Sequence, residues 1–377
     1  MKYYIIAGEA SGDVHAANLI RSLRQKDAEA KIRAWGGDRM EAQGAEVVKH
    51  YRDLAFMGFV EVLMNIGTIA RNIAYCKKDI AAFQPDVLIL VDYPGFNLRI
   101  AEFAHQQGIR VLYYISPQVW AWKKSRVHKI KKVVDKMLVI LPFEKAFYEK
   151  YGVDVEFVGH PLLDEIKAQK KVNRTEFLEK NCLQDQPLIA LLPGSRKQEI
   201  NSMLKIMLTV EDRFPDYQFV VAGLSSVGAD FYQNILKKAR AKLVMDQTSS
   251  LLQHARAALV TSGTATLETA LMEVPEVVCY KGNFISVAIA RRIIDVKYIS
   301  LANLIMDREI VKELIQSQLN TKNLSHELNV ILSDQKKLQQ LHSDYKELKE
   351  KLGKEGASLR TAEIILETMP NQGLVIP

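Results

Sequence analysis

The sequence predicts an α/β protein made of two doubly wound, Rossmann-like domains with a helical C-terminus. Three observations support this fold class. Short apolar runs lack the polar alternation of a half-exposed strand, which is typical of parallel strands covered on both faces. Segments of helical length separate these runs. The chain has 377 residues, more than one ordinary core accommodates, and each half carries its own βαβ series.

The apolar runs predict ten strands, six in the first half of the chain and four in the second. They are Tyr3–Ala7, Ile32–Trp35, Val87–Val91, Val111–Tyr114, Met137–Ile140, Val155–Val158, Leu188–Leu192, Gln218–Ala222, Ala258–Thr261 and Glu276–Tyr280. After residue 306 the pattern is wholly helical and highly charged. Glycine and proline flank His160 between a strand and a helix, so we place a domain boundary there. The predicted domains are residues 1–160 and 161–377.

The composition indicates an ordinary globular protein and a reducing compartment. Hydrophobic residues make up 48% and charged residues 25%, as in ordinary globular proteins, and the net charge is +7. That modest excess suits an anionic partner but does not identify one. Cys76, Cys182 and Cys279 form no C-x-x-C pair, so we interpret them as buried small hydrophobes in a reducing compartment. Neither a signal peptide nor a membrane-spanning segment is predicted, which indicates a cytoplasmic protein.

In open α/β sheets, ligands bind at the carboxyl ends of the strands, so the residues that follow each strand are the candidates. The first strand is followed by Gly8-Glu9-Ala10-Ser11-Gly12-Asp13, which differs from the G-x-G-x-x-G dinucleotide fingerprint. Ser11 or Asp13 would serve as a helix cap in an ordinary turn. The carboxylate of Glu9 is harder to explain structurally, because desolvating it costs free energy unless something uses it.

A second candidate follows the strand Val87–Val91. Asp92 stands where a general base would face a cleft, although a simple turn-forming aspartate is an equal alternative. Further on, Trp120 and Trp122 follow the strand Val111–Tyr114. These tryptophans would either contact sugar or lipid or anchor the core.

The second half contains a candidate diphosphate site. Ser195 and Arg196 follow the strand Leu188–Leu192, and a guanidinium can donate a forked pair of hydrogen bonds to phosphate. Ser262-Gly263-Thr264 opens a helix whose free N–H groups suit an anion, and Glu268 one turn later could bind ribose hydroxyls. Ordinary helix capping is the alternative. The chain has no P-loop, no D-x-D and no histidine pair at metal-binding spacing, so we predict neither a metal nor a cofactor.

One segment, residues 54–73, is rich in large apolar side chains and is followed by two lysines. It predicts either an amphipathic helix packed on the sheet or an exposed apolar surface with a basic rim. In the second case Met57, Phe59 and Met64 would contact a membrane or acyl chains.

Several of these motifs, in this order, resemble those of the lipid-A-disaccharide synthase family. The similar stretches are residues 7–13, 57–63, 92–97, 114–122, 141–148, 157–160, 192–196, 262–268 and 300–304. The resemblance implies the GT-B fold, with the acceptor on the N-terminal domain and UDP on the C-terminal domain. It also implies transfer of 2,3-diacylglucosamine from UDP to the 6-hydroxyl of 2,3-diacylglucosamine 1-phosphate. The β(1→6) disaccharide would form with inversion and without a metal or cofactor.

The resemblance also assigns roles to residues. It implies that Asp92 is the catalytic base, although Gly95 stands where the family often has a second acidic residue. Glu9 is the second catalytic candidate, and Ser11 and Gly12 shape the acceptor side. The UDP-binding candidates are Ser195, Arg196, Ser262, Gly263, Thr264, Glu268 and Asn303. The expected location is the cytoplasmic face of the inner membrane, as a peripheral protein that does not bind nucleic acid. A homodimer is a candidate assembly.

Two other functions remain open at this point. A UDP-N-acetylglucosamine 2-epimerase would share the fold and the nucleotide site but would act on a water-soluble substrate. A non-catalytic protein that binds lipid or nucleotide sugar would bind both ligands and release no UDP.

Overall fold

A computed structural model describes residues 1–53, 66–120, 125–282 and 297–369. The chain forms two compact units, Met1–Asp164 with Leu352–Pro377 and Glu165–Lys351. Each unit has its own parallel sheet with helices between the strands, so the predicted fold class is confirmed. Among the described residues, no helix is long and apolar enough to cross a bilayer.

The first unit has a seven-stranded sheet in the order β3-β2-β1-β4-β5-β6-β7, and the second has a six-stranded sheet in the order β10-β9-β8-β11-β12-β13. All paired strands are parallel. The strands are β1 Lys2–Ala7, β2 Lys31–Gly36, β3 Glu46–His50, β4 Val87–Val91, β5 Arg110–Tyr114, β6 Lys136–Val139, β7 Val155–Phe157, β8 Leu188–Leu192, β9 Gln218–Gly223, β10 Lys242–Met245, β11 Ala255–Thr261, β12 Glu276–Tyr280 and β13 Lys312–Ile315.

Helices connect the strands and cover the sheets. In the described part of the chain they are α1 Ala10–Lys26, α2 Asp38–Ala42, α3 Ile66–Phe83, α4 Pro94–Gln106, α5 Arg126–Val133, α6 Pro142–Glu149, α7 Pro161–Ala168, α8 Arg174–Lys180, α9 Lys197–Leu208, α10 Ala229–Leu236, α11 Thr248–His254, α12 Thr264–Leu271, α13 Leu301–Met306, α14 Thr321–Ser333, α15 Gln335–Lys351 and α16 Ala357–Glu367. Short 3₁₀ turns occur at Tyr51–Asp53, Glu211–Arg213 and Gln316–Gln318.

The buried strands form the cores, which explains why they could be read from the sequence. All five residues of β4 and of β8 are buried, and their side chains join separate apolar clusters in the two units. Burying a large aliphatic side chain contributes about 1.5–3 kcal/mol, so uninterrupted apolar runs favour central positions in a parallel sheet.

The structure confirms the ten predicted strands and adds β3, β10 and β13, which the sequence analysis missed. All three lie at sheet edges. Edge strands are short and carry charges that discourage pairing with other chains, so they lack an apolar run. The prediction that the chain is wholly helical after residue 306 is therefore wrong, because β13 occupies Lys312–Ile315.

The last segment of the chain belongs to the first unit, which differs from the predicted domain of residues 161–377. Helix α16 packs against α1. The Arg360 guanidinium donates to the carbonyl oxygen of Val158 through Nε at 2.9 Å, and the Asp164 carboxylate accepts from the main-chain N–H of Ser358 at 3.3 Å. The apolar stripe of a helix does not specify which core it covers, so the sequence could not decide this.

The cysteines partly match the prediction. Cys76 and Cys279 are buried, as expected of small hydrophobes. Cys182 is exposed, contrary to the prediction, because it lies in the turn after α8 with a φ of +52°.

Candidate active site

Strand order places two of the predicted motifs side by side in the first unit. β1 lies between β2 and β4 and pairs in parallel with both, so the chain runs outward in opposite directions from β1 and β4. Such a switch point is where open α/β sheets bind ligands. The register pairs Ala7 with Val91, so the turns that contain Glu9 and Asp92 begin next to each other.

The turn after β4 has an unusual backbone. Asp92 and Tyr93 have φ values of +44° and +49°, in the left-handed region that side chains other than glycine rarely adopt. Such conformations cost about 1–3 kcal/mol each and persist only where their surroundings impose them. The two left-handed residues were not predicted from the sequence.

Three hydrogen bonds hold this turn. The Asn97 side chain donates to the carbonyl oxygen of Asp92 at 2.7 Å, and the Tyr113 hydroxyl donates to the same oxygen. The main-chain N–H of Asp92 donates to the carbonyl oxygen of Ile115 at 3.2 Å. The main-chain conformation of Asp92 is therefore fixed by its surroundings.

The environment of Asp92 suits a general base. Burial, together with the nearby charge of Glu9, raises the pKa of its carboxyl group to about 6. The N–H of Tyr93 and the charge of His15 oppose that rise. A base with a pKa near the working pH is both largely ionised and basic enough to accept a proton.

Two histidines, His15 and His160, extend this cluster, although the sequence pointed to His160 only as part of the domain boundary and did not point to His15. His160 is 2% exposed, and burial, together with the charge of His15, lowers its pKa to about 3. It is therefore neutral at pH 7. Its Nδ1 accepts from the N–H of Leu162 at 3.2 Å, which assigns the ring proton to Nε2. His15 could have been predicted as part of the site, because it lies one turn after Ser11 and therefore on the same face of α1.

In the turn Gly8–Asp13, which follows β1, Asp13 does not act as a simple cap of α1. Ser11 is exposed and Gly12 is buried. The carboxylate of Asp13 accepts hydrogen bonds from the main-chain N–H groups of Gly37 at 2.8 Å and Met40 at 3.2 Å. Asp13 thus satisfies the start of α2 rather than of its own helix, which the sequence could not show.

The loop after β5 is anchored by a buried carboxyl group. Glu144 is 1% exposed and accepts from Trp120 Nε1 at 3.2 Å and from the N–H of Leu141 at 3.0 Å. Burial raises the pKa of Glu144 to about 7, although these hydrogen bonds oppose the rise. Trp120 is itself buried, so the core-anchoring interpretation holds for it. Trp122 lies outside the described residues.

The second unit repeats the arrangement. β8 lies between β9 and β11, and the register pairs Leu192 with Val260. The strand ends that lead into Ser195-Arg196 and into Ser262-Gly263-Thr264 are therefore neighbours at this sheet's switch point, as the predicted diphosphate site requires.

The turn after β8 needs a glycine. Gly194 has a φ of +107°, and a Cβ atom there would lie 2.1 Å from Oε2 of Glu199. Glu199 also accepts from the main-chain N–H of Ser195 at 3.1 Å. These contacts shape the turn, and the side chains of Ser195 and Arg196 are exposed directly before α9.

The start of α12 is open to solvent. Gly263 and Thr264 are exposed, and a Cβ atom on Gly263 would meet no atom within 4 Å. The first N–H groups of a helix have no partner within it, so those of Thr264 and Ala265 can face an anion. The hydroxyl of Ser262 instead donates to the carbonyl oxygen of Ile299 at 2.9 Å, so it shapes the turn.

The two remaining nucleotide candidates differ. Glu268 is half-buried, and burial raises the pKa of its carboxyl group to about 7, assisted by the charge of Glu165. Asn303 is fully buried, and its amide group is saturated. Its Nδ2 donates to Val311 and Glu313, and its Oδ1 accepts from the N–H groups of Ile310 and Val311. A direct nucleotide contact would break one of these bonds, so Asn303 is a positioning residue.

Other predicted positions are not tested by this geometry. Met57, Phe59 and Met64 lie outside the described residues. Among the residues that the structure does describe, no group of three or more histidine, cysteine, aspartate or glutamate side chains could hold a metal ion.

Two doubly wound units, each with polar side chains at its switch point, define the class of GT-B proteins. Solved structures share this fold. A glycotransferase of kitacinnamycin superposes with a TM-score of 0.67 at 15% identity, covering 98% of this chain and 99% of that one. A UDP-GlcNAc 2-epimerase from Neisseria meningitidis, bound to UDP-GlcNAc, gives a TM-score of 0.66 at 15% identity and covers 98% and 100% of the chains.

Sequence similarity identifies the family within this class. The profile of the lipid-A-disaccharide synthetase family matches residues 3–368, and the chain belongs to that family. The lipid-A-disaccharide synthase of Nitrosococcus oceani is 39% identical, with 98% of this chain and 97% of that protein covered. That of Geobacter metallireducens is 38% identical over 97% and 96%. The protein is therefore a glycosyltransferase of lipid A disaccharide formation.

Proposed function

We propose that the protein transfers 2,3-diacylglucosamine from UDP to the 6-hydroxyl of 2,3-diacylglucosamine 1-phosphate, with inversion at the anomeric carbon. The products are the β(1→6) disaccharide and UDP. The observation that carries this proposal is the position of Asp92, a half-buried carboxyl group of raised pKa at a switch point of the first sheet. Family membership supports the substrate class.

Asp92 accepts the proton of the acceptor hydroxyl as its oxygen attacks the anomeric carbon. Because the pKa of Asp92 is about 6, roughly nine-tenths of the carboxyl groups are ionised at pH 7. Attack on the face opposite to the UDP oxygen inverts the configuration. Glu9 keeps Asp92 basic through its charge, and Ser11 and Gly12 line the acceptor side.

The second unit holds the leaving group. Arg196 and the open N–H groups at the start of α12 stabilise the charge that develops on the diphosphate. The helix dipole contributes only about 0.3–1 kcal/mol, so Arg196 is the larger contributor. Ser195, Gly263 and Thr264 contact the phosphates, and Glu268 accepts from the ribose. These groups supply the charge that D-x-D transferases obtain from a metal ion, so the reaction is metal-independent.

The substrates carry acyl chains, so the protein works at the inner face of the inner membrane. The apolar residues Met57, Phe59 and Met64 contact the bilayer or the acyl chains in this proposal. The first domain, which binds the acceptor, comprises the first unit, and the second unit binds the UDP-sugar. A homodimer is compatible with this scheme.

The decisive experiment supplies both diacylated sugars to the purified protein and follows UDP release, with mass spectrometry of the lipid product. A tetraacylated disaccharide 1-phosphate is expected, and anomeric proton couplings identify its configuration. Omitting the acceptor is the control. Binding of both lipids without UDP release would indicate a non-catalytic protein. Conversion of UDP-N-acetylglucosamine to its 2-epimer would favour the epimerase alternative, whose fold the chain shares.

A further inference from the structure

Helices α4 and α5 carry an unusual charge arrangement close to Asp92. They follow β4 and β5, which are adjacent parallel strands, so both helices begin at the sheet edge where Asp92 lies. The helices are in contact, and Nζ of Lys129 on α5 pairs with Oε2 of Glu102 on α4 at 2.7 Å. This ion pair defines which faces of the two helices meet.

One turn nearer to the start of each helix, both helices carry an arginine instead of an oppositely charged pair. Arg99 precedes Glu102 by three residues and Arg126 precedes Lys129 by three, so each arginine lies on the same helix face as the paired residue. This spacing places Arg99 and Arg126 on the meeting faces of the two helices, at the end of the helix pair nearer to the proposed active site. Burial and the positive charge of Arg99 both lower the pKa of Arg126, although Tyr113 opposes this effect.

Both arginines are held close to the turn of Asp92. Nη1 of Arg99 donates to the carbonyl oxygen of Gly95 at 3.0 Å, three residues after Asp92. Arg126 lies near Tyr113, whose hydroxyl donates to the carbonyl oxygen of Asp92. Among the described residues, Arg99 forms no ion pair with an acidic side chain, and its side chain is exposed.

Two neighbouring guanidinium groups raise the positive electrostatic potential between them, which favours the binding of an anion. A phosphate monoester carries about −1.5 to −2 charges at pH 7 and offers three acceptor oxygens, which suit two forked donors. We propose that Arg99 and Arg126 bind the phosphate monoester of the acceptor sugar. This proposal rests on the proposed function, in which the acceptor carries a phosphate monoester at C1, whereas the donor carries the diphosphate of UDP there. The pair would then orient the sugar so that its 6-hydroxyl reaches Asp92.

The test compares two acceptors, 2,3-diacylglucosamine with and without its 1-phosphate, in mixed micelles at fixed donor concentration. For Arg99→Gln and Arg126→Gln, kcat/KM on the phosphorylated acceptor should fall by about 10–100-fold, the range expected for one charge-assisted hydrogen bond. On the acceptor without phosphate it should change little. Arg21→Gln is the matched control, because Arg21 is an exposed arginine of the same unit whose Nη2 donates to Oδ1 of Asn18 on its own helix at 3.2 Å.

Equal losses on both acceptors would overturn the proposal. A phospholipid headgroup is the other source of phosphate, so binding to vesicles rich in phosphatidylglycerol is measured in parallel. Variants that lose vesicle binding but keep their preference for the phosphorylated acceptor would also overturn it.

A binding assay separates this proposal from the proposed function. Titration with glucosamine 1-phosphate needs no turnover and reports on the arginine pair alone. Weaker binding in both variants than in Arg21→Gln supports the phosphate site even if the wild-type protein releases no UDP, whereas unchanged binding contradicts it. Absence of UDP release from the wild type contradicts only the proposed function.

Discussion

The ring of Tyr93 lies directly against the Cα atom of Gly8, so that a Cβ atom on Gly8 would be 2.3 Å from Cγ of Tyr93. This contact joins the turns after β1 and β4 at the switch point of the first sheet. It explains why the first turn needs glycine at a position where φ is not positive, and it links the position of Glu9 to that of Asp92.

Replacing Gly8 with alanine should therefore push the Tyr93 ring away. We expect the free energy of unfolding to fall by about 1–3 kcal/mol, the usual cost of overpacking, with a loss of turnover because the Asp92 turn moves. Urea denaturation and UDP-release assays measure the two effects. Gly95→Ala is the control, since a Cβ atom there meets nothing within 4 Å. Removing the ring as well, in Gly8→Ala/Tyr93→Ala, should recover part of the stability, and no recovery would contradict the steric explanation.

Asp92→Asn should lower turnover by about 10²–10⁴-fold, because an amide cannot accept the hydroxyl proton. UDP affinity should remain nearly unchanged, since the proposed UDP contacts belong to the other unit. Steady-state kinetics and calorimetry with UDP check both statements. Asp154→Asn, an exposed aspartate of the same unit, is the control. Near-normal turnover in Asp92→Asn would remove this residue from the base role.

The pH dependence of kcat/KM should report on Asp92 and its neighbour Glu9. A base must be deprotonated to act, so kcat/KM should rise as pH increases through about 6 and then level off. Glu9→Gln removes a negative charge that raises the pKa of Asp92, so the rise should move to lower pH. A pH–rate profile of each protein measures this shift. An unchanged midpoint would show that the two carboxyl groups do not interact.

Arg196→Ala should weaken UDP binding by about 10–100-fold, because a charge-assisted hydrogen bond to phosphate is worth about 1.5–3 kcal/mol. Isothermal titration calorimetry measures the affinity directly. Lys205→Ala removes an exposed positive charge from the same helix, α9, and controls for long-range electrostatics. Equal UDP affinities for wild type and Arg196→Ala would place the diphosphate elsewhere.

His160 should make the fold sensitive to acid. Burial lowers its pKa to about 3 in the folded protein, below the ordinary value of 6.5, so the unfolded chain binds the proton more readily. Its contribution to stability is complete above pH 6.5 and is lost as pH falls towards 3, by up to about 1.4 kcal/mol per pH unit. His160→Asn keeps an acceptor for the N–H of Leu162 and cannot be protonated. Denaturation curves between pH 7 and 5 should therefore show a smaller loss for the variant, and parallel losses would argue against a buried neutral imidazole.

The central strands and the residues that follow them were determined by the sequence alone. Runs such as Val87–Val91 predict buried parallel strands because only such strands are apolar at every position. The residues after them, including Asp92 and Arg196, are then candidates because the carboxyl ends of parallel strands share one edge. This reasoning needs only local pattern and chain direction.

Tertiary structure alone decided which of these ends are neighbours and which side chains are available. Strand order places Glu9 next to Asp92, and the Asp13 carboxylate caps a helix other than its own. The side-chain amide of Asn303 forms all its hydrogen bonds within the protein interior. The charged edge strands and the packing of α16 against α1 could likewise not be predicted from the local sequence. Local periodicity reports whether a residue is buried, whereas the partner it meets depends on the free energy of the whole folded chain, which no short stretch of sequence contains.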